Sequence, residues 1–249
     1  MKARKTSFVY CVIKWIVWAL FPKMQVEGLE NIPEGGAVIV GNHAHAYGPF
    51  GGELYLGSNH YTWCSSEMMN LKEVPAYTFQ DFWSMKPRYT LIFYRIISYL
   101  IAPLCVLIFN NANTIPVYHD VRVMKTFRQT LQKLREGKNI VIFPEHTVPH
   151  NNIVYDFQDR FIDVARMYYN QTQTEISFVP MYIAPRLKKI ILGRPIRYRA
   201  DESMDHERRR IREELMEAIT RLGRNLPRHI VVPYAVIPKK DYPFNRDES

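Results

Sequence analysis

Short apolar runs that end in turn residues alternate along this chain with stretches in which apolar residues recur every three or four positions. The first pattern predicts strands buried on both faces, the second amphipathic helices. Val38 to Val40 read as a β-branched strand, and Gly48-Pro49 soon after it as a turn or forced break. Tyr61 to Cys64, Thr114 to Tyr118, Asn139 to Phe143 and Phe178 to Ala184 read as further strands. Gly193-Arg194-Pro195 turns the chain into another at Ile196.

Between these runs, Val121, Met124, Phe127, Leu131 and Leu134 share one face of a helix over 121–135, and Gly137 stops it. Phe157, Phe161, Val164 and Tyr168 predict a helix from Asp156 to Tyr169. Ile211, Leu215, Ile219 and Leu222 predict another from Asp205 to Arg221. The stretch from Ser65 to Trp83 reads as helix and loop broken near Pro75. Strands alternating with helices predict an α/β fold, with a mostly parallel central sheet flanked by helices.

Two apolar segments fall outside that alternation. Residues 8–22 form a run of about four turns interrupted by Lys14, shorter than the ~20 apolar residues a bilayer span needs. Tyr10, Trp15 and Trp18 favour a helix lying in a membrane interface over a core helix. A signal-peptide reading meets Phe21-Pro22-Lys23 where small residues are expected. Residues 91–109 are the most apolar part of the chain, with Arg95 and Pro103 as interruptions. The uncharged part, Ile96 to Phe109, is below spanning length and reads first as a buried helix, second as a re-entrant membrane segment. Pro103 predicts a kink or break. The resulting layout is an interface helix over 1–24, an α/β domain over 25–235 and a polar, Pro-rich surface tail over 236–249.

Charge adds a partner class. The formal net charge of the 249-residue chain is +9, which suits anionic lipid or anionic substrates. Lys2, Arg4, Lys5, Lys14 and Lys23 surround the first apolar run, and Arg208-Arg209-Arg210 with Arg212 sit on the last helix. No basic helix with base-stacking aromatics supports nucleic-acid binding. Cys11, Cys64 and Cys105 show no paired spacing, as expected of a reduced, cytosol-facing protein. The histidines lack the helical spacing of a metal site, so no metal is expected.

Candidate chemistry collects at two strand ends. One carries Asn42-His43-Ala44-His45, the other Phe143-Pro144-Glu145-His146-Thr147. Strand ends of one parallel sheet converge on one edge, so the two can line one site. With Thr114-Ile115-Pro116-Val117-Tyr118-His119 and Val179-Pro180-Met181-Tyr182-Ile183, they form four ordered blocks. Over about residues 25 to 200 these resemble the glycerolipid acyltransferase superfamily, whose best known members make phosphatidic acid from lysophosphatidic acid.

The resemblance implies a membrane-associated O-acyltransferase of phospholipid biosynthesis at the cytoplasmic face of the cell membrane. The donor would be acyl-CoA or acyl carrier protein, used as co-substrate with no bound cofactor. The acceptor would be a lysophospholipid-like or other lipid hydroxyl. His43 takes the part of the family's general base. Glu145, His146, Thr147, His119, Arg122 and His45 fall at or beside acceptor-binding positions. Three departures stand out. Gly48 occupies the place of the aspartate that orients the base, His119 that of an arginine, and His146 and Val148 those of a glycine and an arginine. His45, Glu53, Glu145 or a backbone carbonyl are the candidates to hold His43 instead. Arg122 or Arg160 are candidates for the lost positive charge. The alternative is a degenerate acyltransferase fold acting as a non-catalytic lipid-binding module.

Overall fold

The computed structural model describes residues 7–84 and 86–246. The basic residues Lys2, Arg4 and Lys5 and tail residues 247–249 lie outside them. In chain order the helices and strands are α1 (Phe8–Leu20), β1 (Gln25–Glu27), β2 (Val38–Gly41), α2 (Tyr47–Tyr55), β3 (His60–Ser65), α3 (Val74–Thr78), α4 (Leu91–Asn111), β4 (Thr114–Val117) and α5 (Val123–Arg135). There follow β5 (Asn139–Ile142), β6 (Glu145–Pro149), β7 (Tyr155–Phe157), α6 (Asp163–Thr172), β8 (Ser177–Ala184), β9 (Lys189–Leu192), β10 (Ile196–Arg197) and α7 (Met204–Arg224). They form two compact units. One joins the stretch ending at Pro22 to Trp63–Thr126; the other joins Lys23–Thr62 to the chain from Phe127 onward.

The second unit holds a mixed, mostly parallel sheet in the order β1-β9-β8-β2-β5-β3. β2 is its centre. It pairs in parallel with β8 (Gly41 opposite Met181) and with β5 (Val40 opposite Ile142), while β9 and β10 run antiparallel to β8. Ala37, Val38, Ile39 and Val40 are fully buried, as are Ile140, Val141, Phe178 and Val179. Burying an Ile or Val side chain fully contributes about 1.5–3 kcal/mol, so these strands fix the register of the sheet. α7 buries Ile211, Leu215 and Ile219. Ser203 caps it by accepting the His206 amide proton.

Several boundaries differ from the sequence expectation. Phe157 belongs to a strand, and the helix expected from Asp156 begins at Asp163. The strand expected from Asn139 to Phe143 stops at Ile142, and Glu145, expected in the loop beyond it, opens an antiparallel hairpin of β6 with β7. Gly48-Pro49 does not break the chain but lies in the first turn of α2, where a proline lacks no intrahelical bond. Pro75 likewise opens α3. Val121, expected on the apolar face of α5, precedes that helix and is exposed.

The first unit carries both unusual apolar segments, and here the buried reading of residues 91–109 is overturned. α4 is one continuous 21-residue helix with Pro103 inside it. Only Ser98 and Ala102 of α4 are buried, while Ile92 and Leu100 are each 73 % exposed. The segment Arg88–Asn111, 24 residues, is long and apolar enough to cross a membrane by length and composition, although its uncharged part, Ile96 to Phe109, is shorter than a span. Arg95 does not interrupt the helix. Its guanidinium lies 5.2 Å from the centre of the Phe79 ring, a cation–π contact. α1 has the same character, with Phe8, Trp15 and Leu20 exposed and Tyr10 buried. Ser7 donates its N–H to Asn111 Oδ1 at 3.2 Å, which ties the start of α1 to the end of α4.

Candidate active site

β2, β5 and β8 are parallel, so their carboxy-terminal ends share one edge of the sheet. Asn42 closes the end of β2. Its Nδ2 donates to the Ile183 carbonyl at 3.1 Å and its Oδ1 accepts the Ile183 amide proton at 2.7 Å. The side-chain amide thereby extends the β2–β8 ladder by one rung and leaves no buried polar group unpaired there. The ladder cannot continue further, because Ala44 and His45 both take left-handed backbone angles, φ 45 and 52. That region is strained for non-glycine residues and turns the chain sharply away from the sheet. His43 sits at the bend.

Glu145 holds this bend from the other side. It is 3 % exposed, and both carboxylate oxygens accept backbone protons: Oε2 from His43 N at 2.5 Å, Oε1 from Tyr155 N at 2.8 Å. Burial raises its pKa to about 7, although the two amide hydrogen bonds favour the anion. Glu145 therefore fastens the His43 loop to β7, with both oxygens engaged by the protein itself.

The His43 ring lies between two aromatic rings. Phe143 and Tyr234 each meet it in a T-shaped arrangement, with centroids 5.5 Å away. Burial and the neighbouring His45 lower the His43 pKa to about 4. A backbone hydrogen bond with His45 acts the other way, the sign expected when a ring N–H donates to a carbonyl oxygen. This is the backbone partner among the four candidates named for the missing aspartate. Glu53 serves elsewhere: its Oε2 faces His60 Nε2 at 3.7 Å. His45 itself stacks on the Tyr242 ring at 6.4 Å, with its Nε2 3.4 Å from the Tyr242 hydroxyl.

Position 48 has no room for a carboxylate. The Gly48 amide donates to the His43 carbonyl at 3.0 Å, and a Cβ on Gly48 would overlap that same oxygen and crowd Phe143. The glycine is a requirement of this loop's path.

The remaining sequence candidates spread out. His146 turns away from His43 and pairs through Nε2 with Asp156 Oδ2 at 3.3 Å, while Arg212 approaches the other Asp156 oxygen at 3.8 Å. Thr147 is exposed on the same hairpin. His119 and Arg122 belong to the other unit. There Arg122 makes a two-pronged contact with Asp120 (Nε to Oδ1 3.0 Å, Nη2 to Oδ2 2.7 Å) and lies over the Tyr118 ring. Arg160 is exposed.

Neither Tyr234, at the end of the expected α/β domain, nor Tyr242, in the expected polar tail, was among the site candidates. The tail is anchored. Asn245 is 2 % exposed, accepts the His229 amide proton at 2.9 Å and donates to the Gly223 carbonyl at 2.8 Å. His229 Nδ1 lies 2.8 Å from the Pro227 carbonyl, which leaves Nε2 to accept the Tyr182 hydroxyl at 2.9 Å. The only sequence hint was a proline-rich stretch carrying tyrosines.

In fold, the chain is similar to the 1-acyl-sn-glycerophosphate (LPA) acyltransferase PlsC from Thermotoga maritima. The TM-score is 0.50 over 88 % of this chain and 81 % of that one, at 15 % sequence identity. The fold is therefore a PlsC-like α/β fold. No family model and no curated protein matches the sequence.

Proposed function

We propose that this protein is a membrane-associated O-acyltransferase. It moves a fatty acyl chain from acyl-CoA or acyl carrier protein to a lysophospholipid-like or other lipid hydroxyl. The observation that carries this reading is His43: a neutral imidazole at the carboxy-terminal edge of a PlsC-like sheet, its backbone fastened by the buried Glu145.

In this reaction the free ring nitrogen of His43 takes the acceptor hydroxyl proton. The oxygen attacks the thioester carbonyl carbon, the C–S bond breaks, and the departing thiolate takes the proton back. Arg122 is engaged by Asp120 and no carboxylate stands at position 48, so the acceptor meets a site rich in histidine and tyrosine. The exposed apolar surfaces of α1 and α4 supply the membrane attachment, on the cytoplasmic side if the thioester is CoA.

Purified protein given oleoyl-CoA and a panel of lysophospholipids is expected to release free CoA with at least one acceptor. His43→Ala is expected to abolish that release; equal release from the variant would remove His43 from the role.

One observation favours a second reading. A base whose pKa lies near 4 accepts a proton poorly at neutral pH, as expected of a non-catalytic lipid-binding module. Flotation with liposomes and no turnover on any acceptor would decide for it.

A further inference from the structure

The segment from His229 to Asn245 is a closed loop. Ile230 and Phe244 pair across its base, Val231 N donates to the Pro243 carbonyl at 2.8 Å, and Asn245 N donates to the His229 carbonyl at 3.1 Å. The Arg228 guanidinium lies 3.6 Å from the Phe244 ring centre and covers that base. Compact loops of this kind hold their shape through their own side chains. This one brings two tyrosines to two histidines, Tyr234 to His43 and Tyr242 to His45. Tyr155 of β7 backs Tyr234, with ring centroids 6.1 Å apart. β7 is also where Glu145 fastens the His43 loop, so histidine and tyrosine share one support.

We propose that Tyr234, with Phe143, forms an aromatic clamp that positions the His43 imidazole and keeps water from it, in place of a carboxylate at position 48. The inference rests on the acyltransferase reading for its catalytic meaning, but its geometry is independent of turnover. A motif carboxylate does two things for such a base: it fixes the ring and it stabilises the imidazolium. Here the first task falls to the two T-shaped ring contacts and the His45 backbone. The clamp does not take over the second: burial lowers the His43 pKa to about 4, so the ring is held neutral.

Within its unit, the titratable groups shown against His43 among the described residues are His45 from its own loop, Glu145 from β6 and Tyr234 from the closed loop, with Tyr155 behind Tyr234 and Tyr242 behind His45. Glu145 directs one oxygen to the His43 amide and the other to Tyr155, so neither is aimed at the ring. Tyr234 is a positioning residue by this account: it acts through His43.

The test follows the His43 ring directly, by NMR titration of histidine-labelled full-length protein, alongside CoA release from oleoyl-CoA and lysophosphatidic acid. Tyr234→Phe keeps the ring and is expected to titrate like the parent, with turnover within about threefold. Tyr234→Ala admits water and is expected to raise the His43 pKa by about one unit or more and lower kcat about tenfold or more, with the donor KM within about threefold. Tyr234→Leu keeps apolar bulk without a π face and guards against a collapsed Ala variant. It is expected to melt like the parent yet lose kcat as Tyr234→Ala does. An unchanged His43 titration in Tyr234→Ala, or full turnover in Tyr234→Leu, overturns the clamp. A shifted titration in a protein whose parent turns over nothing leaves the clamp standing and removes the acyltransferase reading.

Discussion

Gly48 donates its amide proton to the carbonyl oxygen of His43 at 3.0 Å, and the contact leaves no space for a side chain. Placing an aspartate at position 48, as in the acyltransferase motif that this loop resembles, is therefore expected to damage the protein. Gly48→Asp and Gly48→Ala should each lower stability by about 1–3 kcal/mol, the usual cost of overpacking, and neither should raise CoA release. Urea unfolding with parallel turnover checks this; a faster Gly48→Asp enzyme would contradict the account of the loop.

The acid limb of the rate profile should lie low. With His43 near pKa 4, its neutral form dominates throughout the neutral and mildly acidic range. kcat/KM for CoA release is expected to stay flat from about pH 8 to about pH 5, then fall tenfold per unit below about pH 4. An acid limb near pH 6.5 would show an imidazole in ordinary solvent.

Glu145 and His43 pull stability in opposite directions with pH. The Glu145 carboxyl titrates higher in the folded protein than in the unfolded chain, so its contribution is full below about pH 4.5 and is lost as pH rises through about 7. The His43 ring titrates lower when folded, so stability is lost as pH falls from about 6.5 through about 4. Between about pH 4.5 and 6.5 the two slopes offset. Glu145→Gln removes the first, so its urea-unfolding free energy should rise with pH across that window while the parent stays nearly flat. It should also be less stable by about 1–3 kcal/mol, since a Gln amide faces one of two buried N–H donors with a donor.

Much of this was legible in the chain. β2, β5 and β8 are short β-branched or apolar runs because both their faces are covered, and that composition survives without tertiary information. β1, β6 and β7 are not, because three to five residues with charged or exposed ends carry no period. α2 was hidden by Gly48, Pro49, Gly51 and Gly52, which are turn residues everywhere except in a helix packed this closely. His43, His45 and Glu145 could be named from strand ends. That Glu145 serves the backbone of His43 could not, because the partner is an amide every residue has. Tyr234 and Tyr242 reach the site through a fold that brings distant stretches together, and nothing local marks them.

Asn42 should matter more than its size suggests. Asn42→Ala leaves the Ile183 N–H and C=O unpaired in a buried place, at about 1–3 kcal/mol each. Arg122→Ala, by contrast, removes an exposed group engaged by its neighbour Asp120 and should change CoA release less than about threefold. Comparing the two in one unfolding and turnover series tests whether the strand end or the basic residue governs the site.

The apolar face of α4 offers a test of membrane attachment. The pair Ile92→Asp and Leu100→Asp places two carboxylates on exposed apolar positions. Each costs about 2.5–3.5 kcal/mol at the centre of a spanning helix, so liposome flotation should fall about tenfold or more. Undiminished flotation would move the attachment elsewhere.

The clamp also sets an order of events during synthesis. Tyr234 follows His43 by 191 residues (234 − 43), and the Asn245 that closes its loop comes later still. At about 5–20 residues per second, a growing chain carries His43 for ~10–40 s before that ring emerges from the ribosome. Until then the imidazole is an ordinary, wet histidine. The aromatic surroundings of residue 43 are complete only after Asn245 is made, so a chain stalled or cleaved before Asn245 should keep its sheet and lack the lowered His43 pKa.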